Sequence, residues 1–284
     1  MAKKEVIFPE ALALPAIGQG TWYMGEKASQ RNSEVDALRA GVDLGLTLID
    51  TAEMYAEGGA EEVVGEAIRG LRDKVFLVSK VYPWNAGGAK AIAACEASLK
   101  RLGTDYLDLY LLHWRGDIPL EETVDVMQTL MQQGKIRRWG VSNLDYDDMQ
   151  ALWRIGGGSE CVTDQVLYHL ASRGIEHDLL PWCQQHQVPV MAYCPLAQAG
   201  RLREGLMHDP VVNDIARERG ISVAQLLLAW VISHQGVMAI PKAGSVTHVK
   251  ENAAALEISL SDDELARLDN AFPAPKGKTR LDVV

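Results

Sequence analysis

The fold of this chain is decided by LTLID (46–50), KVFLVSK (74–80) and YLDLYLLH (106–113), three short apolar runs that are each followed by a longer amphipathic stretch. Further runs of the same kind are IRRWGVSN (136–143), VTDQVLY (162–168), VPVMAYCP (188–195) and GVMAIPK (236–242). Strands that alternate with helices pair in parallel through right-handed crossovers. Because the runs are continuously apolar, they predict strands that are covered on both faces.

Helical patterning lies between these runs, at residues 34–44, 60–71, 89–102, 120–133, 146–154, 176–186 and 223–232. An eighth strand is expected just before Gly18, within LPAIGQG. Eight β/α units in this length predict an α/β fold, a (β/α)₈ TIM barrel, in one domain over residues 1–284. EVIFPEALALP (5–15) predicts an N-terminal hairpin over the barrel floor, and residues 209–219 predict one of the extra helices near the C-terminus.

A doubly wound open sheet is the alternative arrangement of alternating strands and helices. Its usual signature is Gly-x-Gly-x-x-Gly between the first strand and the first helix. Gly18, Gly20 and Gly25 do not have that spacing. The barrel is therefore favoured over the open sheet.

Composition and charge exclude several classes of function. The net charge of −10 gives an acidic surface, so a nucleic-acid partner is not expected. The cysteines lack Cys-x-x-Cys spacing and the histidines lack His-x-x-x-His spacing, so neither a disulfide framework nor a metal site is expected. The N-terminus lacks the apolar run of a signal peptide, and residues 223–232 are too few to span a bilayer. We expect a soluble, cytoplasmic monomer without a membrane partner.

Polar residues close three neighbouring strands of the predicted barrel. Asp50 ends LTLID, Lys80 ends KVFLVSK, and His113 ends YLDLYLLH, while Tyr55 lies in the loop that follows Asp50. Neighbouring strands are about 5 Å apart, so side chains at their carboxyl ends converge. Each residue alone has an ordinary structural interpretation, but charged residues rarely end adjacent buried strands without pairing. The four together predict a site.

The chemistry of this set suits proton delivery to a carbonyl oxygen. A free tyrosine has a pKa of about 10, and lowering it by two to three units takes roughly 3–4 kcal/mol. A cation about 4 Å away supplies roughly that much at an intermediate dielectric. Lys80 is that cation, Asp50 keeps it charged, and His113 orients the substrate oxygen. No side chain supplies hydride, so a cofactor must.

The motifs, taken in chain order, resemble those of the aldo-keto reductases from about Gly18 to Asn270. The resemblance rests on DTAEMY (50–55), LVSK (77–80), LLHW (111–114), GVSN (140–143), Gln165, YCPL (193–196), IPK (240–242) and Glu251-Asn252. It implies Tyr55 as the acid, Lys80 and Asp50 as its tuning pair, and His113 as the orienting group. It further implies that the nicotinamide end of the cofactor is bound by Thr21, Ser142, Asn143, Gln165 and the stacked ring of Tyr193, with Leu196 and its loop over the pyrophosphate.

The adenosine end of the cofactor is assigned by the same resemblance. Relatives usually carry a lysine followed six residues later by an arginine, both of which contact the 2′-phosphate. Lys242 occupies the lysine position here, but His248 stands where the arginine is usual. Ser245 adds a hydrogen-bond donor, and Glu251 and Asn252 belong to the same cofactor segment. NADPH is therefore the expected donor, and NADH is possible because histidine lacks a permanent charge.

Aromatic residues just beyond three strand ends are candidates for the wall of a substrate pocket. They are Trp22, Tyr23, Tyr82, Trp84 and Trp114. The tail after Asn270 is short, which predicts an open pocket. The resemblance is nearest to bacterial reductases of small aldehydes and dicarbonyls, such as methylglyoxal, and of keto sugars.

Two other functions remain open at this point. The first is a Schiff-base lyase that uses Lys80 as nucleophile, against which the neighbouring Asp50 argues because it would keep the amine protonated. The second is a non-catalytic subunit that senses nucleotide redox state, as some relatives in the family do. No docking extension that would suit the second is visible.

Overall fold

The structure, a computed structural model, describes residues 4–198 and 201–284. Its strands are β1 (Glu5–Phe8), β2 (Leu12–Pro15), β3 (Gln19–Gly20), β4 (Leu48–Asp50), β5 (Phe76–Val81), β6 (Leu109–Leu112), β7 (Trp139–Ser142), β8 (Asp164–Leu167), β9 (Val190–Tyr193) and β10 (Val237–Ala239). Its α-helices are α1 (Arg31–Asp43), α2 (Gly59–Ala67), α3 (Gly88–Leu102), α4 (Leu120–Gln132), α5 (Tyr146–Trp153), α6 (Leu179–Gln185), α7 (Arg201–Met207), α8 (Pro210–Arg219), α9 (Val223–Val231), α10 (Val246–Ala254) and α11 (Asp262–Ala271).

Strands β3 to β10 form one parallel sheet in chain order. Parallel bridges from Ile17 to Ala239 and from Gly20 to Lys242 join its two ends, so the sheet closes into a barrel. The closure needs glycine at position 20, because a Cβ there would lie 2.6 Å from the carbonyl oxygen of Ile240. The predicted (β/α)₈ barrel is confirmed.

The N-terminal hairpin is also present. Strands β1 and β2 pair antiparallel, with Phe8 opposite Leu12. The ring of Phe8 is buried and lies 6.3 Å from that of Phe76, the first residue of β5. Because Phe76 stands at the amino end of its strand, the hairpin covers the floor of the barrel and leaves the opposite mouth for chemistry.

Most element boundaries lie within a few residues of the prediction, and two regions need comment. The first barrel strand begins at Gln19 rather than before Gly18, although it lies within the predicted LPAIGQG. Before it, the Ala16 N–H donates to the Lys4 carbonyl, while the Ala16 carbonyl and the Gly18 N–H bond to Ala239 in the closing strand. The sequence predicted extra helices near the C-terminus but gave no bounds for the two that the structure shows as α10 and α11. A capping box marks the start of α11, in which Ser261 and Glu264 bond each other's backbone N–H groups.

In the ranges 4–198 and 201–284, no helix is both long enough and apolar enough to cross a membrane. Over the same residues, no group of three or more His, Cys, Asp and Glu side chains is arranged to hold a metal ion.

Candidate active site

The four side chains predicted to form the site meet at the mouth of the barrel. Asp50 ends β4, Lys80 lies near the end of β5, and His113 follows β6 directly. The Lys80 ammonium donates hydrogen bonds to Asp50 Oδ2 (2.7 Å), to the Thr51 carbonyl (2.8 Å) and to the Tyr55 hydroxyl (3.0 Å). The lysine therefore joins the carboxylate to the phenol in a single cluster.

Lys80 is fully buried, and Asp50 is buried beside it. A buried charge is tolerated only when it is paired and hydrogen-bonded, and this ammonium directs each of its N–H groups at an oxygen. Burial lowers the pKa of Lys80, while the adjacent charge of Asp50 opposes that shift. An amine with three donated hydrogen bonds has no lone pair free to attack a carbonyl, which argues against a Schiff-base lyase.

The pKa of Tyr55 moves in the direction opposite to the one the sequence suggested. Burial raises it well above its ordinary value, and the charge of Asp50 pushes it the same way. The expectation of a Tyr55 pKa near neutrality is wrong for this structure, because the two largest influences on this phenol, burial and the charge of Asp50, both raise its pKa. Tyr55 therefore holds its proton at neutral pH, which is the form a proton donor requires.

His113 is neutral in this environment. Burial, reinforced by the positive charge of Lys80, lowers its pKa to about 2. Its ring stands edge-on to that of Tyr55, with 5.8 Å between the ring centroids. A neutral imidazole that keeps one N–H can donate a hydrogen bond to a carbonyl oxygen without giving up a proton.

The residues predicted to bind the nicotinamide carboxamide lie next to this cluster. Ser142 Oγ donates to the Gln165 carbonyl (2.8 Å), and Asn143 Nδ2 donates to the His113 carbonyl (3.2 Å). The Tyr193 hydroxyl donates to Asn143 Oδ1 at 2.7 Å. The backbone of Asn143 has a left-handed φ of 59°, a region in which asparagine is enriched among the residues that carry a side chain.

Gln165 connects this group to the cluster of Asp50, Lys80 and Tyr55. Its Nε2 donates to Asp50 Oδ1 at 2.8 Å, while the other oxygen of Asp50 accepts from Lys80. Amide and hydroxyl groups supply the donors and acceptors that a carboxamide needs, and the Tyr193 ring offers an aromatic face beside them. The residues present therefore fit a nicotinamide ring.

Two further residues assigned to the cofactor have structural contacts. Thr21 is buried, and its hydroxyl donates to the Asp50 backbone carbonyl (2.9 Å), which ties β4 to the segment after β3. Leu196 is partly buried against the core in a loop where Cys194 and Ala197 have left-handed φ values. Residues 199 and 200 of that loop lie outside the described residues. Cofactor contacts for Thr21 and Leu196 stay predictions.

The segment predicted to bind the 2′-phosphate follows β10. Lys242 and His248 are both exposed, and Ser245 caps α10 by accepting a hydrogen bond from the His248 backbone N–H at 3.3 Å. Glu251 and Asn252 lie further along the same helix, with Asn252 buried. A cation placed at the amino end of a helix is an arrangement that suits a phosphate group.

The five aromatic side chains predicted to wall the pocket form two stacked groups. Trp22 stacks on Tyr23, with 4.7 Å between ring centroids. Tyr82 stacks on Trp84 at 4.4 Å, and Trp114 meets Trp84 edge-on at 5.7 Å. The structure therefore brings all five to the mouth.

Each aromatic group contacts the predicted catalytic residues from one side. The Trp22 ring lies 6.4 Å from that of Tyr55, and the Trp114 ring lies 4.9 Å from that of His113. Trp84 is 55% exposed, so its side of the mouth is open to solvent.

The sequence profile of the aldo/keto reductase family matches residues 16–272, which include every residue of the cluster. The chain belongs to this family.

One named enzyme and two crystal structures are similar to this reductase along its whole length. The methylglyoxal reductase YeaE of Escherichia coli is 72% identical over 284 residues, which is 100% of both chains. The crystal structure of an aldo/keto reductase from Klebsiella pneumoniae in complex with NADP and acetate has a TM-score of 0.98 and 70% identity, again over 100% of both chains. A second structure of a Klebsiella pneumoniae aldo-keto reductase, in complex with NADPH, is 71% identical with the same TM-score and coverage.

The C-terminal tail of the reductase was not expected at the site. The Lys278 ammonium pairs with Asp147 Oδ2 at 2.6 Å, and Asp282 accepts a hydrogen bond from the Ser172 hydroxyl. The backbone of the last residue, Val284, lies close enough to Tyr193 to lower the pKa of its phenol, although burial raises that pKa overall. The tail therefore contacts the Tyr193 side of the mouth, while the expectation of an open pocket stays a prediction.

The low pKa of His113 in this reductase gives a prediction for the pH profile. At saturating NADPH, we expect kcat/KM for an uncharged aldehyde to lack an imidazole limb between pH 5 and 8, because His113 stays neutral down to about pH 2. The measurement is NADPH oxidation across that range. If kcat/KM of the wild-type enzyme does change between pH 5 and 8, and this change disappears in His113→Gln, the imidazole of His113 titrates in that range instead.

Proposed function

We propose that this reductase converts small aldehydes and dicarbonyls, such as methylglyoxal, to alcohols with NADPH, and that Tyr55 is the proton donor. One observation carries the proposal. The Tyr55 hydroxyl lies 3.0 Å from the ammonium of Lys80, which is itself paired with Asp50 at 2.7 Å. A phenol that must donate a proton needs a cation beside the oxygen that becomes negative.

Bound NADPH supplies the hydride that reduces the carbonyl carbon. The Tyr55 hydroxyl and the neutral His113 N–H donate hydrogen bonds to the carbonyl oxygen and fix its direction. As negative charge develops on that oxygen, Tyr55 transfers its proton, and Lys80 stabilises the phenolate that remains. Asp50 keeps the lysine charged in a site where burial would otherwise favour the neutral amine.

The aromatic wall and the names of relatives support small carbonyl substrates. Trp22 and Trp114 flank the donor cluster, so a short aldehyde can reach Tyr55 between apolar faces. The Escherichia coli relative is named a methylglyoxal reductase. A Bacillus subtilis relative, 32% identical over 94% of this chain and 92% of its own, is named a glyoxal reductase.

A parallel assay tests the function. The loss of NADPH absorbance is followed with saturating methylglyoxal, glyoxal, benzaldehyde and a keto sugar. We expect the highest kcat/KM with the two dicarbonyls, since their small size fits the space beside Tyr55. NADPH that stays unoxidised with all four carbonyls would instead favour a nucleotide-sensing subunit.

The cofactor contacts at the adenosine end give a separate prediction. Lys242→Ala is expected to weaken NADPH far more than NADH, by roughly 1–3 kcal/mol, because only NADPH carries a 2′-phosphate for the ammonium to bind. Kd values for both nucleotides, measured by fluorescence quenching, check this. Equal losses for the two nucleotides would remove Lys242 from the phosphate site.

His248 gives a second prediction about the same preference. Histidine lacks the permanent charge and the five donors of a guanidinium, so His248→Arg should tighten the binding of NADPH more than that of NADH. The Kd values of both nucleotides for this variant check the prediction. Equal changes in the two Kd values would contradict a phosphate contact at position 248.

We further propose that the enzyme acts as a cytoplasmic monomer. All the side chains assigned to the reaction come from one chain, so the site does not require a second copy. Light scattering of the purified protein with NADPH measures the mass of the active species, and a mass of two chains would overturn the monomer.

A further inference from the structure

The backbone directly after Tyr55 is strained. Ala56, Glu57 and Gly58 have consecutive left-handed φ values of 50°, 52° and 92°. Only glycine adopts this region freely, so Ala56 and Glu57 each add an unfavourable conformation. Such a turn persists only where surrounding contacts determine it, and here it carries the proposed proton donor.

Arg101, from helix α3, holds this turn from behind. Its side chain packs on Gly58 so closely that a Cβ there would lie 2.6 Å from the Arg101 Cδ and Nε atoms. Arg101 Nε also donates to Glu61 Oε2 at 2.5 Å. Glu61 is fully buried in the first turn of α2, only three residues beyond Gly58. The ion pair therefore fixes both the turn and the helix that follows it.

The second oxygen of Glu61 reaches the strand that carries Lys80. Ser79 Oγ donates to Glu61 Oε1 at 2.6 Å, and Ser79 immediately precedes Lys80 in β5. Ser79 is fully buried and, as the neighbour of a side chain directed to the site, points to the opposite face of the sheet. One carboxylate thus contacts the supports of both the phenol and the ammonium.

We infer that Ser79, Glu61 and Arg101, here called the polar brace, are positioning residues that hold the Tyr55 hydroxyl within hydrogen-bonding distance of Lys80. The inference rests on the proposed function, because it assigns the brace a role in proton transfer from Tyr55. Glu61 receives a hydrogen bond on each oxygen from a different element, so the two ends of the 3.0 Å Lys80–Tyr55 contact are linked through its carboxylate.

The test compares Arg101→Met, Arg101→Lys and Ser79→Ala with a matched ion-pair control, Arg267→Lys. Arg267 donates to Glu218 Oε2 at 2.7 Å on the outer helices α11 and α8, away from the mouth. Tyrosine labelled with ¹³C at Cζ is incorporated into each full-length protein, and the Tyr55 signal is assigned from Tyr55→Phe. NMR then reports the environment of the phenol directly, without any turnover.

Kinetics supply the second readout. In Arg101→Met we expect kcat with methylglyoxal to fall about 10- to 100-fold, as for a displaced reacting group, while Kd for NADPH changes less than about twofold. The solvent isotope effect on kcat should rise because proton transfer becomes slower. Arg101→Lys should recover part of the rate, since it keeps the charge but not the packing on Gly58. In Ser79→Ala we expect kcat to fall several-fold.

The inference holds if the Tyr55 signal shifts or broadens in Arg101→Met and Ser79→Ala but not in Arg267→Lys. It is overturned if the signal is unchanged in those two brace variants, or if kcat and the Kd for NADPH weaken by equal factors. Should Arg101→Met not fold, Arg101→Lys and Ser79→Ala decide by the same criteria. If the wild-type protein oxidises no NADPH, the proposed function is contradicted but the polar brace is not. The NMR comparison needs no turnover, so it still decides whether the brace positions Tyr55.

Discussion

Tyr55→Phe is expected to abolish carbonyl reduction while NADPH binding stays near that of the wild type. The phenol is buried, its pKa is raised by that burial, and its oxygen lies 3.0 Å from Lys80. Phenylalanine keeps the ring that packs beside Trp22 but has no proton to donate. Loss of a positioned acid costs about 10²- to 10⁴-fold in rate.

The measurement is kcat with methylglyoxal together with the Kd for NADPH by fluorescence quenching. Tyr146→Phe is the matched control, because that hydroxyl accepts a hydrogen bond from Gln150 on helix α5 and has no contact with the cluster. A Tyr55→Phe enzyme that keeps more than about a tenth of kcat would show that another group delivers the proton.

Lys80→Met is expected to reduce both activity and stability, and a second substitution separates the two effects. Removal of the ammonium leaves Asp50 as a buried carboxylate whose remaining side-chain donor is Gln165. Breaking a buried ion pair in this way costs about 3–5 kcal/mol in the free energy of unfolding. The phenolate of Tyr55 also loses its neighbouring cation, so kcat should fall about 100-fold or more.

The double variant Lys80→Met with Asp50→Asn carries no unpaired charge. We expect its free energy of unfolding, measured in urea, to recover most of the loss, while kcat stays as low as in the single variant. If activity returned together with stability, Lys80 would serve the fold alone, and its assignment to the proton-transfer step would be wrong.

The tail and the brace show how much of the site depends on long-range packing. Val284 approaches Tyr193 only because the chain returns to the mouth after α11. Glu61 meets Ser79 and Arg101 only because α2, β5 and α3 are neighbours in the barrel. No local pattern marks Val284, Ser79 or Arg101. Glu61 is different, because an acidic residue on the buried face of an amphipathic helix is a signal that could have singled it out.

Local patterns in the chain predict the barrel and the place where the four polar residues meet. Apolar runs and helical periodicity are local properties, and parallel strands bring their carboxyl ends to one mouth, so Asp50, Lys80 and His113 had to converge there. The order of the motifs along the chain was likewise enough to predict the family.

The protonation state of Tyr55, the contacts of the tail and the support behind Lys80 follow from long-range packing and not from local sequence. Each depends on which distant segments exclude water from a group or reach it with a partner. The charge on Lys80 is visible in the sequence, but the desolvation that raises the pKa of Tyr55 is set by the packing of the closed barrel around the phenol.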